Sequence, residues 1–173
     1  MAQGAHPVLG CCQGVAHPRV CDVVEVCLRP LPVCVGGWRR PPVAADLAGT
    51  RLFDAIGHLD LPKKFGFVPP ERDIVEMAGP ALDRIADAGM SIEVNTAGLR
   101  KPIREIYPSP LLLRMARERG IPICFGSDAH KPGEVGFGFA AALSLAREAG
   151  YTHAARYSQR KRTLVPLPGA APE

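Results

Sequence analysis

Three side chains that could bind a metal ion or move protons follow short apolar stretches of the sequence. His58 comes directly after residues 53–57, and Asp128 and His130 come shortly after the apolar run 121–125. Residues two apart in an extended segment point the same way, so Asp128 and His130 can converge on one point. Imidazole and carboxylate groups suit divalent ions such as Zn, Mn or Fe. The spacing therefore favours a divalent-metal site at His58, Asp128 and His130, and Asp128 and His130 are also the candidate catalytic residues.

Each of these residues also has a purely structural interpretation. His58 could be a core or capping histidine, and Asp128 could close a turn or cap the next helix. Spacing alone therefore favours a metal site for the three residues together without proving one.

From Leu52 onward the sequence alternates between strand and helix patterns. The predicted elements are strand 53–57, helix 70–89, strand 91–95, helix 110–119, strand 121–125, helix 135–149 and a last short strand at 163–167. Such alternation predicts an α/β fold of parallel β/α units with right-handed crossovers. Because the working face of these folds lies at the carboxyl ends of the strands, we expect the three candidate ligands on one rim.

A basic loop follows the strand predicted at residues 91–95. It contains Arg100, Lys101 and Arg104, on the same rim as the candidate ligands. A guanidinium group there could hold a phosphate through paired hydrogen bonds, so Arg100 is the predicted substrate-binding residue. The alternative for all three residues is a solvated loop charge.

Composition and charge limit the function classes. The chain has 173 residues, 47% of them hydrophobic, and a net charge of +4, which fits roughly one domain with a real core. Basic residues are scattered apart from a group near the end, so we expect no nucleic-acid partner. No apolar run reaches the ~18 residues of a membrane span, and residues 1–14 do not resemble a signal peptide, so we expect no membrane partner and a cytoplasmic location. No feature of the sequence indicates an oligomeric state.

Residues 1–50 differ in composition from residues 51–173. They contain no Lys, six Pro and five of the six Cys. Their apolar run at 20–34 shows neither the two-residue period of a strand nor the 3.6-residue period of a helix. The cysteine spacings lack a CxxC pair, so we predict no metal site there. We expect 1–50 to be an irregular segment, of the composition that a GC-rich coding region yields when it is read out of frame. Translation of the other two frames upstream of Leu52 would test this expectation.

Three segments carry a family resemblance. They read FDAIGHLDLPKKFG, IEVNTAGLRKPIREIYPSP and GIPICFGSDAHKPGEVGFGF. Together they resemble the later half of the histidinol-phosphatases of the PHP (polymerase and histidinol phosphatase) superfamily. GHLDL and SDAH alone would indicate only the superfamily, whereas NTAGLRKP followed by EIYPS indicates the histidinol-phosphatase branch. The resemblance covers residues 52–167.

The resemblance implies a distorted (β/α)7 TIM-like barrel with a trinuclear metal centre. The implied reaction is hydrolysis of L-histidinol phosphate to L-histidinol and phosphate, in histidine biosynthesis. His58, Asp128 and His130 match metal-binding positions of the family, and Arg100 lies where the family presents basic groups to the substrate phosphate. The Glu-x-Asn pair of the middle segment matches positions that we interpret as support for the rim.

The resemblance also has a gap. The family opens with a His-x-His strand end, which residues 1–50 lack, and its barrel is considerably longer than this chain. We therefore expect the N-terminal strands of a PHP domain to be missing or replaced here, and the metal site to be incomplete. The alternatives to a histidinol-phosphatase are an inactive PHP fragment that serves as a metal-binding or interaction module, and another PHP-type phosphoesterase.

Overall fold

The computed structural model describes residues 23–25, 48, 50, 52–66 and 68–169. Within these residues the strands and α-helices have the following bounds: β1 Val23–Glu25, β2 Ala55–Gly57, α1 Glu71–Asp87, β3 Ser91–Asn95, α2 Pro110–Glu118, β4 Ile123–Gly126, α3 Phe139–Glu148, β5 His153–Ser158 and β6 Lys161–Pro166. Short 3₁₀ helices occupy Leu61–Phe65, Thr96–Arg100 and Pro132–Glu134.

The first four strands form one parallel sheet in the order β1-β2-β3-β4. Ala55 of β2 pairs with Ser91 of β3, and Ile92 of β3 pairs with Ile123 of β4. Strand and helix alternate from β2 to α3, which confirms the α/β prediction with parallel strands. The carboxyl ends of β2, β3 and β4 therefore share one edge of the sheet.

The two faces of the sheet are buried by different partners. Ile56, Val94 and Ile123 are fully buried in one large apolar cluster together with Leu82 of α1 and Leu113 of α2. Because successive strand residues point to opposite faces, their neighbours along the strands face the other way. Those neighbours contribute to a second, smaller cluster of Ala55, Cys124, Ala155 and Tyr157.

The helix ends follow the signals in the sequence. α1 begins after Pro70 with Glu71 and Asp73 in its first turn, where the helix dipole favours carboxylates. It continues through Pro80 and is followed by Gly89, which has a φ of +67°. A left-handed residue at this position is a common way for a helix to end. The predicted helix at 70–89 is thus confirmed to within two residues at each end.

Strands β5 and β6 form an antiparallel hairpin over the second face of the sheet. Only a short strand at 163–167 is predicted there from the sequence, and β5 is not predicted at all. The hydroxyl of Tyr157 is 2.7 Å from Oγ of Ser91 and donates to the carbonyl oxygen of Asp54 at 3.0 Å. Nε of Arg160 also donates to the Asp54 carboxylate at 3.1 Å. These bonds attach the hairpin to the amino ends of β2 and β3.

Strand β1 lies inside residues 1–50, the segment that the sequence predicts to be irregular. Apart from β1 and residues 48 and 50, that segment, with its five cysteines, lies outside the described residues. Across the part of the chain that the structure describes, no helix combines the length and the apolar character that a membrane span requires.

Candidate functional site

His58 and Asp128 meet at the carboxyl edge of the parallel sheet. Nε2 of His58 lies 3.7 Å from Oδ2 of Asp128. His58 follows β2 directly, and Asp128 follows β4 after one intervening residue. Both backbones are left-handed, with φ values of +50° and +48°. The His58 side chain is buried, whereas that of Asp128 is 29% exposed, so solvent reaches the pair from the side of the carboxylate.

The separation of these two atoms fits a shared metal ion. Zinc bonds of ~2.0–2.2 Å in tetrahedral geometry place two ligand atoms about 3.4 Å apart. The observed 3.7 Å between Nε2 of His58 and Oδ2 of Asp128 is close to that value. The pair therefore suits one imidazole and one carboxylate ligand of a divalent ion.

His130 is oriented by the backbone of the same turn. Its Nδ1 lies 2.9 Å from the carbonyl oxygen of Asp128. Since a carbonyl oxygen only accepts, this contact is made by a protonated Nδ1, and in the neutral ring Nε2 then keeps the lone pair with which histidine binds metals. Nδ1 is also 3.8 Å from Oδ1 of Asp128, and the ring is 78% exposed.

The structure brings the predicted ligands together in pairs. His58 approaches Asp128, and Asp128 approaches His130. Among the residues that the structure describes, no group of three His, Cys, Asp or Glu side chains is arranged to hold a metal ion. The three-residue ligand set therefore stays a prediction.

A cavity of about 180 Å³ opens beside this pair. Its wall consists of His58, Leu61, Lys64, Ala97, Lys101, Tyr107, Asp128 and His130. The ring of Tyr107 meets that of His58 edge to face, with 5.7 Å between centroids. The cavity thus combines two imidazoles and a carboxylate with two ammonium groups, a set that can bind an anionic group beside a cation.

Arg100, the predicted phosphate-binding residue, lies behind this wall. Its Nη2 donates to the carbonyl oxygens of Ser127 at 2.8 Å and Asp128 at 2.9 Å. The guanidinium group also lies over the ring of Phe137, 5.5 Å from its centroid. Nη1 is buried and has no hydrogen-bond partner among the described residues. The guanidinium group therefore holds the backbone of this turn through Nη2, while its Nη1 is enclosed by protein.

Glu134, which the sequence analysis does not single out, is part of the same turn. Its Oε2 accepts a hydrogen bond from the backbone N–H of His130 at 3.0 Å and lies 3.7 Å from Nη2 of Arg100. The His130 N–H and the nearby positive charges lower the pKa of the Glu134 carboxyl group. No local spacing reveals this residue, because its contacts depend on the 3₁₀ turn Pro132–Glu134.

Glu93 and Asn95 support the rim, as the sequence analysis predicts for them. Nδ2 of Asn95 donates to Oε2 of Glu93 at 2.9 Å, and Oδ1 of Asn95 accepts from the N–H of Ala97 at 2.8 Å. Asn95 thereby caps the 3₁₀ helix Thr96–Arg100. Both side chains are buried, so they act on the shape of the loop that carries Arg100.

A buried lysine, Lys63, joins two loops at one side of the cavity. Its ammonium donates to the carbonyl oxygen of Ile106 at 2.7 Å and lies 3.0 Å from Oδ2 of Asp60 and 3.1 Å from Oε2 of Glu105. Oδ2 of Asp60 also accepts from the N–H of Ser109. Burial raises the pKa of Asp60, and the Lys63 charge acts in the opposite direction. These bonds fix the loop that carries Lys101 and Tyr107.

Comparison with known proteins agrees with the family resemblance. Residues 111–152 match the family described as PHP-associated. A probable histidinol-phosphatase of Deinococcus radiodurans is 56% identical over 118 residues, which are 67% of this chain and 44% of that protein. The histidinol-phosphatase of Bacillus subtilis is 37% identical over 92 residues, or 51% of this chain and 34% of that protein. The chain thus spans less than half the length of these relatives.

A solved structure shares the fold. It is a histidinol phosphate phosphatase from Lactococcus lactis, complexed with Zn, L-histidinol and phosphate. The superposition has a TM-score of 0.52 at 19% identity and covers 69% of this chain and 48% of that one. The sequence matches confirm the resemblance to histidinol-phosphatases, and the solved structure shows a likeness of fold. The chain is therefore similar in sequence, over less than half of their length, to histidinol-phosphatases.

Proposed function

We propose that this chain is part of a metal-dependent phosphomonoesterase that hydrolyses L-histidinol phosphate to L-histidinol and phosphate. The observation that carries the proposal is the approach of His58 Nε2 to Asp128 Oδ2, 3.7 Å, beside a cavity with two lysines. It occurs in a chain that is 56% identical over 118 residues to a probable histidinol-phosphatase. Fold alone would not support an activity, because one fold hosts many functions.

The proposal includes the architecture around the site. We infer that the parallel sheet β1-β2-β3-β4 belongs to a distorted (β/α)7 TIM-like barrel whose N-terminal strands are missing or replaced in this chain. The parallel order and the helices on one face support this inference. In this arrangement residues 51–173 are the C-terminal portion of a PHP domain, and residues 1–50, an atypical N-terminal segment, contribute strand β1 to its sheet.

The proposed metal ligands are His58, Asp128 and His130. A divalent ion such as Zn, Mn or Fe lowers the pKa of a bound water and polarises the phosphoryl group. His58 would bind through Nε2, and His130 also has Nε2 available because its Nδ1 faces a carbonyl oxygen. A trinuclear centre needs more ligands than these three, so they would provide one part of it.

Two kinds of cation would receive the substrate phosphate. Lys64 and Lys101 lie on the cavity wall, where an ammonium group can neutralise a phosphate oxygen. Arg100 stays a proposed phosphate-binding residue, although in this structure it lies behind the cavity wall and its Nη1 is buried. Asp128 and His130, beside the same cavity, are the groups proposed to take part in the hydrolysis.

The decisive experiment measures bound metal and phosphate release from L-histidinol phosphate for the chain loaded with Zn or Mn. His130→Ala is expected to lose phosphate release, whereas His153→Ala, on the hairpin, is the matched control and should retain it. Lys101→Met is expected to raise KM more than it lowers kcat, because it removes a charge that meets the substrate phosphate. Equal phosphate release by the native chain and His130→Ala would remove the proposed site. Metal binding without phosphate release would favour the metal-binding module over the enzyme.

A further inference from the structure

The turn that carries both Asp128 and His130 is held from outside the cavity by two oppositely charged side chains. Nη2 of Arg100 donates to the carbonyl oxygens of Ser127 and Asp128. Oε2 of Glu134 accepts from the N–H of His130. The two charged groups are 3.7 Å apart, so they bind successive peptide groups of one turn from a common point.

We propose that Arg100 and Glu134, here called the Arg100–Glu134 clamp, are positioning residues that fix Asp128 and His130 in their metal-binding geometry. This inference rests on the proposed function. Neither residue lines the cavity, and Arg100 acts here through its Nη2 contacts with the backbone. The clamp is thus separate from any contact between Nη1 of Arg100 and a phosphate.

The clamp holds Asp128 in a backbone conformation that is unfavourable by itself. Its φ of +48° is in the left-handed region, which costs an L-residue roughly 1–2 kcal/mol. Such a conformation persists only where the surroundings determine it. The carbonyl of Asp128 accepts from both Arg100 and the His130 ring, so the peptide orientation that the clamp fixes also orients the imidazole.

Groups that orient metal ligands in this way typically change metal affinity by ~10–100-fold when they are altered. Glu134→Gln keeps an oxygen that can accept from the His130 N–H but removes the charge that faces Arg100. Arg100→Lys keeps the charge but has a shorter side chain, so its ammonium group does not reach the position from which Nη2 donates to both carbonyl groups. Glu148→Gln, an exposed glutamate at the other end of α3, is the matched control.

The test is Zn²⁺ titration of the full chain in phosphate-free buffer, together with the melting temperature of the metal-free protein. We expect Glu134→Gln and Arg100→Lys to bind Zn²⁺ about tenfold more weakly than the native chain. Glu148→Gln should bind Zn²⁺ as tightly as the native chain does. Without metal, all three variants should have the same melting temperature as the native chain. Because phosphate is absent, a role of Arg100 in phosphate binding does not affect the result.

The possible failures are distinguishable. If the native chain binds no Zn²⁺, or Asp128→Asn binds it as well as the native chain does, the proposed function fails. If Asp128→Asn loses affinity but both clamp variants bind like the native chain, only the clamp is overturned. It is also overturned if both variants unfold, because the two residues would then support the fold instead of the ligands.

Discussion

His58 and Asp128 approach to 3.7 Å although their strands are not neighbours in the sheet. β3 lies between β2 and β4, and two strand spacings amount to ~9.5 Å. The side chains therefore lean toward each other over the end of β3, each from a left-handed backbone position. Left-handed residues other than glycine are uncommon and concentrate at functional sites. Their occurrence in both members of one pair supports the assignment of this edge as the functional one.

The left-handed backbone of Asp128 predicts a gain in stability when glycine replaces it. Asp128→Gly removes the Cβ that makes a φ of +48° costly. We expect the free energy of unfolding of the metal-free chain to rise by about 0.5–1 kcal/mol, while Zn²⁺ affinity falls. Urea denaturation and Zn²⁺ titration measure the two effects. Asp87→Gly, at the end of α1, should instead lower stability, because helical glycine is unfavourable. A lower stability of Asp128→Gly would contradict the interpretation of strain.

The Lys63 network predicts a large loss of stability when its cation is removed. Lys63→Met leaves the buried Asp60 carboxylate and the Ile106 carbonyl oxygen without that partner. We expect a loss of about 2–4 kcal/mol in the free energy of unfolding, measured by urea denaturation. The double variant Asp60→Asn/Lys63→Met should lose less than the sum of the two single variants. Lys161→Met, on the exposed strand β6, is the control, and a loss of equal size there would exclude the buried network as the cause.

The contact between Glu93 and Gly126 predicts that the end of β4 tolerates no side chain. A Cβ on Gly126 would overlap the Glu93 carboxylate. Gly126→Ala should therefore displace Glu93 and lower the free energy of unfolding by about 1–3 kcal/mol. The same substitution in a Glu93→Ala background has room and should cost less. Equal losses in the two backgrounds would show that the overlap is not the cause, and thermal denaturation of the four proteins provides the comparison.

The buried phenol of Tyr157 predicts a loss of stability at alkaline pH. Burial raises the pKa of Tyr157 to about 12. Below pH 10 the phenol is protonated in both the folded and the unfolded chain, so its contribution to the free energy of unfolding does not change with pH. Between pH 10 and 12 only the unfolded chain releases the proton, which favours unfolding.

Urea denaturation between pH 9 and 11.5 tests this prediction. Tyr157→Phe should be less stable at neutral pH, by about 1 kcal/mol, because it loses the bonds to Ser91 and Asp54. Its stability should then fall less steeply with pH than that of the native chain. Burial raises the pKa of Tyr151 as well, so Tyr151→Phe should remove another part of the slope. An unchanged slope in Tyr157→Phe would contradict the prediction.

Local sequence signals predicted the elements that carry the site. Residues 91–95 form β3 as predicted, and the helix predicted at 110–119 is observed at Pro110–Glu118. For these two elements, apolar periodicity together with Pro and Gly at the element ends suffices to predict their position. The local preferences of the residues agree there with the tertiary packing. Since the strands are parallel, these signals also predicted that His58 and Asp128 would share one edge of the sheet.

The features that escaped prediction depend on backbone geometry or on distant contacts. Strand β5 escaped because the turn after it uses Gln159 and Arg160, both with positive φ, where Asn-Gly or Asp-Gly would be the usual signal. Glu134 escaped because its partner Arg100 is 34 residues away in the sequence. The sequence predicted that Arg100 lies on the rim, but it contains no information on which carbonyl groups its guanidinium would meet.

The hairpin bonds to Ser91 and Asp54 lie at the amino ends of the strands, whereas the cavity opens at their carboxyl ends. Protein engineers can use this separation. Changes that improve thermal tolerance or expression, such as replacement of the exposed Leu164 of β6, can be made on the hairpin without altering the ligand geometry. Substitutions of the catalytic residues can then be compared in a stabilised variant of the chain. There, a loss of turnover is not confused with a loss of the folded state.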